Sequence, residues 1–349
     1  MRATNWLGDA VMSLPAIQAI RQVFPHAHLA VVARPWVADL YARESAIDEV
    51  IAYQGRGLGD ARNFGRSLRA RRFDCAILLQ NAFEAAWMVW MAAIPERIGY
   101  DRDGRGFLLT RAIAVPAPGD IPRHERFYYL ELLRRARLIE LAHYSQFGIP
   151  AIRLEGADAA AREGARRFSI QGIREAIGIS PGAAYGAAKR WLPERFAEAG
   201  ARLCQHLSTG ALVFGSAAER ALCEQVVTRL RQAGVDARNL AGHTTLREFI
   251  ELTAACRLFL TNDSGAMHIA SALSVPTIAV FGATDDTTTG PTGANACVIR
   301  EHAECSPCLL RECPIDHRCM TRVSVDAVAA AALRLGEETA ARGTPETKP

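Results

Sequence analysis

The residues best suited to chemistry in this 349-residue chain lie in short turns that follow apolar segments. The apolar run 258–260 is followed by Thr261-Asn262-Asp263-Ser264-Gly265, after which apolar residues recur at helical spacing up to Leu273. A strand, a tight turn and a helix in this order present backbone N–H groups and the positive end of the helix dipole to an anion. The turn therefore predicts a phosphate site, although an ordinary capped helix would select the same residue types.

A second turn of this kind begins at Ser180, after the apolar segment 176–179. It contains Gly182, which lets the backbone approach a ligand closely, and Lys189, which stands shortly before Pro193. Proline fits the first turn of a helix, so the lysine is predicted to lie beside a helix N-terminus. The chain has only one other lysine, near its end. Lysine here indicates an anion site, and a flexible basic loop is the alternative.

A third turn, Phe214-Gly215-Ser216, leads to Glu219 at the beginning of another predicted helix. Glu219 could accept hydrogen bonds from a ribose, although an acid in a first helical turn also complements the helix dipole. The carboxyl ends of parallel strands meet at one sheet edge, which is where α/β proteins bind ligands. The three turns are therefore predicted to form one site for a phosphorylated ligand.

In the first half, Asn5-Trp6-Leu7-Gly8-Asp9 precedes the first helical pattern. Asp9 could cap that helix, or it could act as a general base if a substrate hydroxyl lies at hydrogen-bond distance. Only four residues precede Asn5, where a sheet of this class should have an apolar strand. Either the strand is very short or the true start lies upstream of Met1. We favour the second explanation and expect a chain extended upstream to be more stable.

Apolar segments alternate with helical segments along the chain, which implies parallel sheets covered on both faces. The predicted strands are 29–33, 50–52, 75–79, 98–99, 176–179, 211–214, 238–240, 258–261, 277–281 and 297–299. The helix at 83–94, which includes Trp87 and Trp90, is expected to be buried, and 55–59 is expected to be a loop.

The alternation pauses near Ile149-Pro150, where we place a linker. The predicted organisation is an N-terminal domain over residues 1–152 and a C-terminal domain over residues 153–325, both Rossmann-like. The remaining segment is residues 326–349, with a last helix expected at 325–335 and a disordered tail at 343–349.

The composition is that of a globular protein, with 50% hydrophobic residues and a net charge of +4. The longest apolar run, 85–94, is far shorter than the roughly 20 residues that span a bilayer. The first residues lack the apolar core of a secretory signal, so we expect a cytoplasmic protein. Aromatic residues do not interleave with the arginines of segment 56–72, which argues against nucleic acid binding. Most of these arginines are expected to form a solvated face; if several of them face the site instead, the acceptor is anionic.

Four cysteines lie within 15 residues near the C-terminus: Cys305, Cys308, Cys313 and Cys319. Their spacing could hold a structural zinc ion or an iron-sulfur cluster. Reduced thiols in a crowded loop, or redox pairing, would give the same pattern. The sequence leaves these alternatives open.

As a set, these motifs resemble glycosyltransferase family 9. The matching segments are Asn5–Asp9 with Ser13-Leu14-Pro15, Pro181–Ala183 through Ala188–Trp191, Phe214–Ser216, and Thr261–Gly265 with Met267-His268. The resemblance implies a GT-B architecture, in which two Rossmann-like domains with parallel sheets face each other across a cleft. It also implies that Asp9 is the catalytic base and that Asn5, Trp6 and Gly8 lie near the acceptor.

The resemblance further implies that Lys189 contacts a diphosphate and Asp263 the donor sugar. The other implied donor-binding residues are Gly182, Gly215, Ser216, Glu219, Ser264, Gly265 and His268. The implied reaction is an inverting transfer of heptose from ADP-L-glycero-D-manno-heptose to the heptosylated inner core of lipopolysaccharide (lipid A-Kdo-heptose). No cofactor is required, and the enzyme would touch the inner face of the cytoplasmic membrane peripherally, although no amphipathic anchor is evident in the sequence.

Three other functions remain as alternatives. The chain could be another family 9 enzyme with a different acceptor or nucleotide sugar. It could be a non-catalytic protein that binds nucleotides or carbohydrates, which the presence of both Asp9 and Lys189 argues against. A nicotinamide-dependent enzyme is disfavoured, because no G-x-G-x-x-G follows the first strand of either half.

Overall fold

The computed structural model describes residues 1–140 and 151–343. The chain divides into two compact units, Met1–Pro150 and Ala151–Pro349. The predicted linker at Ile149-Pro150 and residues 344–349 of the predicted tail lie outside the described residues. Within the described residues, no helix is long and apolar enough to cross a membrane.

The N-terminal unit contains a parallel sheet. Its strands are β1 (Ala30–Ala33), β2 (Glu49–Ala52), β3 (Cys75–Leu78), β4 (Glu96–Tyr100) and β5 (Arg111–Ile113). β1 pairs with β2, β3 pairs with β4, and β4 pairs with β5. The sequence did not predict β5, because its residues, Arg-Ala-Ile, do not form an apolar run.

Arg2 joins the two parts of this sheet, since it forms parallel bridges to Val32 in β1 and to Leu78 in β3. The spatial order is therefore β2, β1, residue 2, β3, β4, β5. Residue 2 occupies the place of the first strand in the Rossmann order 3-2-1-4-5-6. The chain leaves this position through Asn5 and Trp6 into the first helix, so Asp9 lies where the strand order reverses.

Helices connect these strands. They are α1 (Leu7–Val23), α2 (Pro35–Tyr41), α3 (Gly57–Leu68), α4 (Phe83–Met91) and α5 (Arg126–Arg135). Residues 57–59, expected in a loop, belong to the first turn of α3. The expectation that the segment at 83–94 is a buried helix is wrong for one face, since Trp90 of α4 is exposed. Helical spacing of apolar residues does not tell which of them face solvent.

The C-terminal unit contains a six-stranded parallel sheet. Its strands are β6 (Ala176–Ser180), β7 (Gly210–Val213), β8 (Ala237–Asn239), β9 (Phe259–Asn262), β10 (Thr277–Phe281) and β11 (Ala296–Arg300). Their spatial order is β8-β7-β6-β9-β10-β11, again the Rossmann order. The order reverses between β6 and β9, so the turns after these two strands flank the position at which such sheets bind ligands.

The helices of this unit cover both faces of the sheet. They are α6 (Ala157–Ile170), α7 (Pro193–Leu207), α8 (Arg220–Gln232), α9 (Leu246–Ala254), α10 (Gly265–Ala272), α11 (Asp286–Thr289), α12 (Arg318–Thr321) and α13 (Val325–Gly343). α13 is longer than the predicted helix at 325–335 and packs against α7 and β10. Trp191 and Phe196 are fully buried in the core between the sheet and these helices.

Helices α6 and α9 pack closely at Gly164, where a Cβ atom would lie 2.0 Å from the carbonyl oxygen of Glu251. We expect Gly164→Ala to destabilise the C-terminal unit by about 1–3 kcal/mol, because the helices must separate. Gly336→Ala is the matched control, since Gly336 also lies inside a helix but has no atom within 4 Å of its Cβ position. The melting temperature of the full-length protein measures both effects.

The control should raise the melting temperature slightly, because alanine favours helix more than glycine does. If Gly164→Ala also melted at or above the temperature of the parent protein, the close approach of α6 and α9 would be shown to relax without cost.

Candidate active site

Asn262, at the end of β9, ties two turns of the C-terminal unit together. Its Oδ1 accepts the backbone N–H of Trp191 at 2.8 Å, and its Nδ2 donates to the carbonyl oxygen of Pro181 at 2.8 Å. The side chain is fully buried, where an amide needs such partners. The loop after β6 is thus held at both of its ends. The sequence signal for this role was a polar residue at the end of a buried apolar strand.

Lys189 lies in that loop, in the short 3-10 turn Ala187–Lys189. Its Nζ lies 2.5 Å from Oδ2 of Asp263, and the same oxygen accepts the hydroxyl of Thr284 at 2.6 Å. Thr284 follows β10, so residues after three neighbouring strands meet at one sheet edge. The structure therefore brings Lys189 and Asp263 together, as the sequence analysis predicted. It adds Thr284, which that analysis missed.

The pair formed by Lys189 and Asp263 is largely withdrawn from solvent, with 13% and 5% of the two side chains exposed. Buried opposite charges are tolerated while they stay paired and hydrogen-bonded. Asp263 and Thr284 hold the lysine ammonium group at the sheet edge, and its exposed part can meet an anion. Both contacts of Asp263 use its Oδ2.

Glu219 stands next to Gly182. Its Oε2 accepts the backbone N–H and the hydroxyl of Ser216, at 2.9 and 2.8 Å, in a capping box ahead of α8. A Cβ at Gly182 would lie 2.1 Å from Oε1 of Glu219, so only glycine permits this approach. Gly215, Ser216 and Glu219 thus lie beside the loop that carries Lys189. Glu219 caps the helix, and its Oε1 lies against Gly182.

The turn after β9 begins α10, with Ser264 at the N-cap and Gly265 as the first helical residue. The hydroxyl of Ser264 lies 3.1 Å from that of Thr261. The first N–H groups of a helix have no carbonyl partner within it and suit an anion. His268 lies one turn into α10 with its side chain buried, so the structure places it within the helix body.

A segment near the C-terminus supports the Lys189 loop, which the sequence analysis did not anticipate. The backbone N–H of Ala188 donates to the carbonyl oxygen of Arg311 at 2.9 Å. The hydroxyl of Tyr185 donates to the carbonyl oxygen of Leu309 at 2.8 Å. The Tyr185 ring centroid lies 4.9 Å from Nζ of Lys189 and 5.1 Å from the guanidinium of Arg311. Two cations therefore share one aromatic ring at this site.

The four clustered cysteines belong to the same region. Cys305 is exposed, Cys308 and Cys313 are half-buried, and Cys319 is buried in α12. Burial raises the pKa of the Cys319 thiol, and the nearby charges of the other three raise it further. Across residues 1–140 and 151–343, no three or more His, Cys, Asp or Glu side chains are arranged to hold a metal ion. The hypothesis of zinc or an iron-sulfur cluster gains no support from this arrangement.

In the N-terminal unit, Asp9 lies in the first turn of α1 and is half-buried. Helix α1 packs against α5, whose N-cap residue is Glu125. Burial raises the pKa of Glu125, and the negative charge of Asp9 raises it further. Burial also raises the pKa of Tyr129 well above its ordinary value, again with a contribution from Asp9. The carboxylate of Asp9 therefore lies close to the beginning of α5.

The predicted acceptor residues surround the same turn. Oδ1 of Asn5 accepts a hydrogen bond from Nη2 of Arg2 at 2.9 Å, and the Asn5 carbonyl accepts Nε1–H of Trp36 at 2.8 Å. Trp6 is exposed, and Gly8 lies in the first turn of α1 beside Asp9. The turn is thus fixed by backbone and amide contacts, while the Trp6 ring remains accessible.

Arg34 is a further polar residue near this edge that the sequence analysis missed. It follows β1 and is buried, with its guanidinium carbon 4.6 Å from the ring centroid of Tyr53 and Nη2 3.5 Å from Glu84. The sequence signal would have been an Arg-Pro pair at the end of a buried strand.

Comparison with known proteins agrees with this geometry. The profile described as glycosyltransferase family 9 (heptosyltransferase) matches residues 61–318. The chain is 31% identical over 301 residues to lipopolysaccharide heptosyltransferase 2 of Escherichia coli K12, covering 85% of this chain and 86% of that protein. It is 33% identical over 310 residues to lipooligosaccharide heptosyltransferase 2 of Haemophilus influenzae, with the same coverage.

Solved structures show the same relationship. The structure of E. coli ADP-heptose lps heptosyltransferase II superposes with a TM-score of 0.81 at 28% identity, covering 97% of this chain and 98% of that one. A family 9 glycosyltransferase from Veillonella parvula superposes with a TM-score of 0.80 at 20% identity, which supports the fold alone. The predicted GT-B fold class is thereby confirmed. The matched segment and these relatives show that the chain belongs to glycosyltransferase family 9.

Proposed function

We propose that the protein transfers heptose from ADP-L-glycero-D-manno-heptose to the heptosylated inner core of lipopolysaccharide. The observation that carries the proposal is the meeting of Lys189, Asp263 and Thr284 beside the N-terminus of α10, at the reversal point of a Rossmann sheet. Relatives named lipopolysaccharide heptosyltransferase 2 support heptose transfer to lipopolysaccharide, and the similar structure of E. coli ADP-heptose lps heptosyltransferase II supports the donor.

The C-terminal unit would bind the donor. When the bond between the sugar and the diphosphate breaks, negative charge develops on the departing diphosphate. Fixed positive groups lower the energy of that transition state most when they are already in place. Lys189, oriented by Asp263, and the first N–H groups of α10 have this arrangement. Oδ1 of Asp263 would accept a sugar hydroxyl, and Glu219 would accept the ribose hydroxyls.

The N-terminal unit would bind the acceptor through Asn5, Trp6 and Gly8. Asp9 would remove the proton from the acceptor hydroxyl as its oxygen forms the new bond to the anomeric carbon. The bond from that carbon to the diphosphate breaks at the same time, and ADP leaves with the bonding electron pair. Attack opposite the leaving group inverts the anomeric centre. Because Lys189 and the helix supply positive charge, the proposed transfer uses no metal ion or other cofactor.

The direct test supplies purified protein with ADP-heptose and a core lipid that carries one heptose, and measures ADP release together with the mass of the lipid. We expect ADP and a product with one additional heptose in equal amounts. Turnover of another nucleotide sugar or acceptor would instead support a different family 9 activity. Tight ADP binding without any product would support a non-catalytic binding protein. The proposed place of action is the cytoplasmic face of the inner membrane.

A further inference from the structure

We propose that the outer face of helices α3 and α4 binds the surface of a bilayer that contains anionic lipids. This surface, called here the α3–α4 face, consists of an aromatic ridge along α4 and an arginine row along α3. The inference rests on the proposed function in one respect, because a lipid-anchored acceptor is met at a bilayer surface. Its physical evidence comes from the side chains of the N-terminal unit.

The aromatic ridge consists of Phe83, Trp87, Trp90 and Phe107. The first three lie on one side of α4 at helical spacing, and the rings of Trp87 and Trp90 stack with centroids 5.2 Å apart. The ring of Phe107 lies 6.1 Å from that of Phe83. Trp90 is 42% exposed and Phe107 is 78% exposed. The four rings therefore form two contacting pairs, each with one exposed member.

The ridge is exposed because the inner sides of both helices are already filled. α4 buries Ala85, Ala86, Met88 and Val89. α3 approaches α4 so closely at Gly65 that a Cβ there would lie 2.3 Å from the carbonyl oxygen of Met88. The helix pair cannot rotate to bury its outer rings without breaking this contact. Phe83 and Trp87 pack partly against the core of the unit, whereas Trp90 and Phe107 are exposed.

The arginine row consists of Arg62, Arg66 and Arg69, which recur every three or four residues along the exposed side of α3 and its C-cap. In the described parts of the chain, no carboxylate forms an ion pair with Arg62 or Arg66. On the same helices, Glu84 lies beside Arg34, and Asp60, which accepts the backbone N–H of Arg56, contributes one negative charge against the three arginines. The row therefore carries net positive charge.

The ridge and the row lie side by side. Nε1 of Trp87 donates to the carbonyl oxygen of Leu58, at the beginning of α3, at 3.2 Å. Nε of Arg69 donates to the carbonyl oxygen of Met91, at the end of α4, at 2.8 Å. The two helices are thus tied at both ends of their contact. Leu58 is itself exposed and extends the apolar surface toward α3.

This combination fits a bilayer surface better than it fits another protein or a nucleic acid. Tryptophan rings favour the boundary between lipid and water, and arginines are attracted to anionic headgroups. A helix surface with aromatic residues on one side and arginines on the other can lie in that boundary. A single-stranded nucleic acid would need rings interleaved with the cations, whereas here the two groups form separate rows. The sequence did not reveal this surface, because its two halves lie on different helices.

The test is co-sedimentation of the full-length protein with sucrose-loaded vesicles. Vesicles of phosphatidylcholine alone are compared with vesicles that also contain phosphatidylglycerol. We expect binding to the anionic vesicles and a decrease in binding as salt is added. The double variant Arg62→Gln with Arg66→Gln should weaken that binding about 30-fold, because each arginine near an anionic surface contributes about 1 kcal/mol to the binding free energy. Trp90→Ser with Phe107→Ser should weaken it even at low salt.

Matched controls come from the C-terminal unit. Ile170→Ser removes another exposed apolar side chain, and Arg229→Gln removes another exposed arginine. Both controls should bind the vesicles as the parent protein does. The melting temperature of every variant verifies that it is folded. Equal loss of binding in the controls would show a nonspecific effect of charge and hydrophobicity and would overturn the assignment.

The outcomes separate this inference from the proposed function, because vesicle binding needs neither donor nor acceptor. If the protein transfers heptose but does not bind anionic vesicles, the α3–α4 face is not a membrane surface. If the variants of the α3–α4 face bind vesicles normally but change the oligomeric state measured by sedimentation, the face joins two copies of the chain and the proposal fails. If vesicle binding is lost in these variants and no heptose is transferred by the parent protein, the inference stands and the proposed function fails.

Discussion

Asp9→Asn is expected to lower kcat by about 10²–10⁴-fold, the range associated with loss of a general acid or base. The substitution keeps the shape of the side chain and removes its ability to take a proton from the acceptor hydroxyl. ADP binding should be nearly unchanged, because every residue proposed to contact the nucleotide lies in the C-terminal unit. Initial rates with ADP-heptose, together with calorimetric titration of ADP, measure the two quantities separately.

Asp158→Asn is the matched control for this prediction. Asp158, like Asp9, lies in the first turn of a helix, in this case α6. Loss of the interaction with the helix dipole costs about 0.3–1 kcal/mol at either position, so the two variants should melt at similar temperatures. An Asp9→Asn protein that melted well below the control and retained most of its kcat would assign Asp9 to helix capping. Full activity in that variant would remove it from the reaction.

The turns at the carboxyl ends of the strands were predictable from the sequence because buried parallel strands read as apolar runs. Ile177 to Ile179 and Leu258 to Leu260 are such runs, and each ends in a turn with glycine. The order of strands and turns along the chain is therefore sufficient to place Lys189 and Asp263, which follow these runs, at one sheet edge. The same reasoning placed Asp9 after a strand, even though that strand is represented only by Arg2 and its two bridges.

What could not be predicted depends on contacts between residues far apart in the chain. Thr284 fixes Asp263 across 21 residues, and Leu309 holds Tyr185 across 124. The local sequence around a threonine or a backbone carbonyl group does not indicate which distant residue it will contact. The segment around Leu309 drew attention for its cysteines, whereas the structure shows it holding the loop of Lys189. Local periodicity predicts an element and one of its faces, but not which distant element will meet it.

The same limit explains the exposure of the aromatic residues. The segment that includes Trp87 and Trp90 is apolar nearly throughout, so periodicity alone indicated a helix buried on all sides. In the structure, Gly65 of α3 lets the two helices approach closely, and Trp90 stays exposed while Trp87 packs partly against the core. Which apolar residues remain outside depends on the size of those inside, and that is a property of the packed pair.

Lys189→Met is expected to reduce kcat/KM for ADP-heptose by about 10²–10³-fold, because one fixed positive group at the departing diphosphate is lost. The substitution also leaves Asp263 buried without its cation, which costs up to about 3–5 kcal/mol when a buried pair is broken. The loss of stability should lie toward the lower end of this range, because the position of Lys189 is partly exposed to solvent and Thr284 still donates a hydrogen bond to Asp263. A single variant therefore cannot separate catalysis from folding.

The double variant Lys189→Met with Asp263→Asn makes that separation. It replaces the charged pair by neutral side chains of similar size, so no buried charge remains unpaired. We expect the double variant to melt above Lys189→Met alone and to remain as inactive, because restoring stability does not restore the positive charge. Melting temperature and donor kinetics for the parent, both single variants and the double variant complete the cycle. Recovery of activity in the double variant would show that Lys189 serves only to neutralise Asp263. The diphosphate would then have to be held by the helix N-terminus and by other cations near the loop. Arg311 is the first of these cations to test.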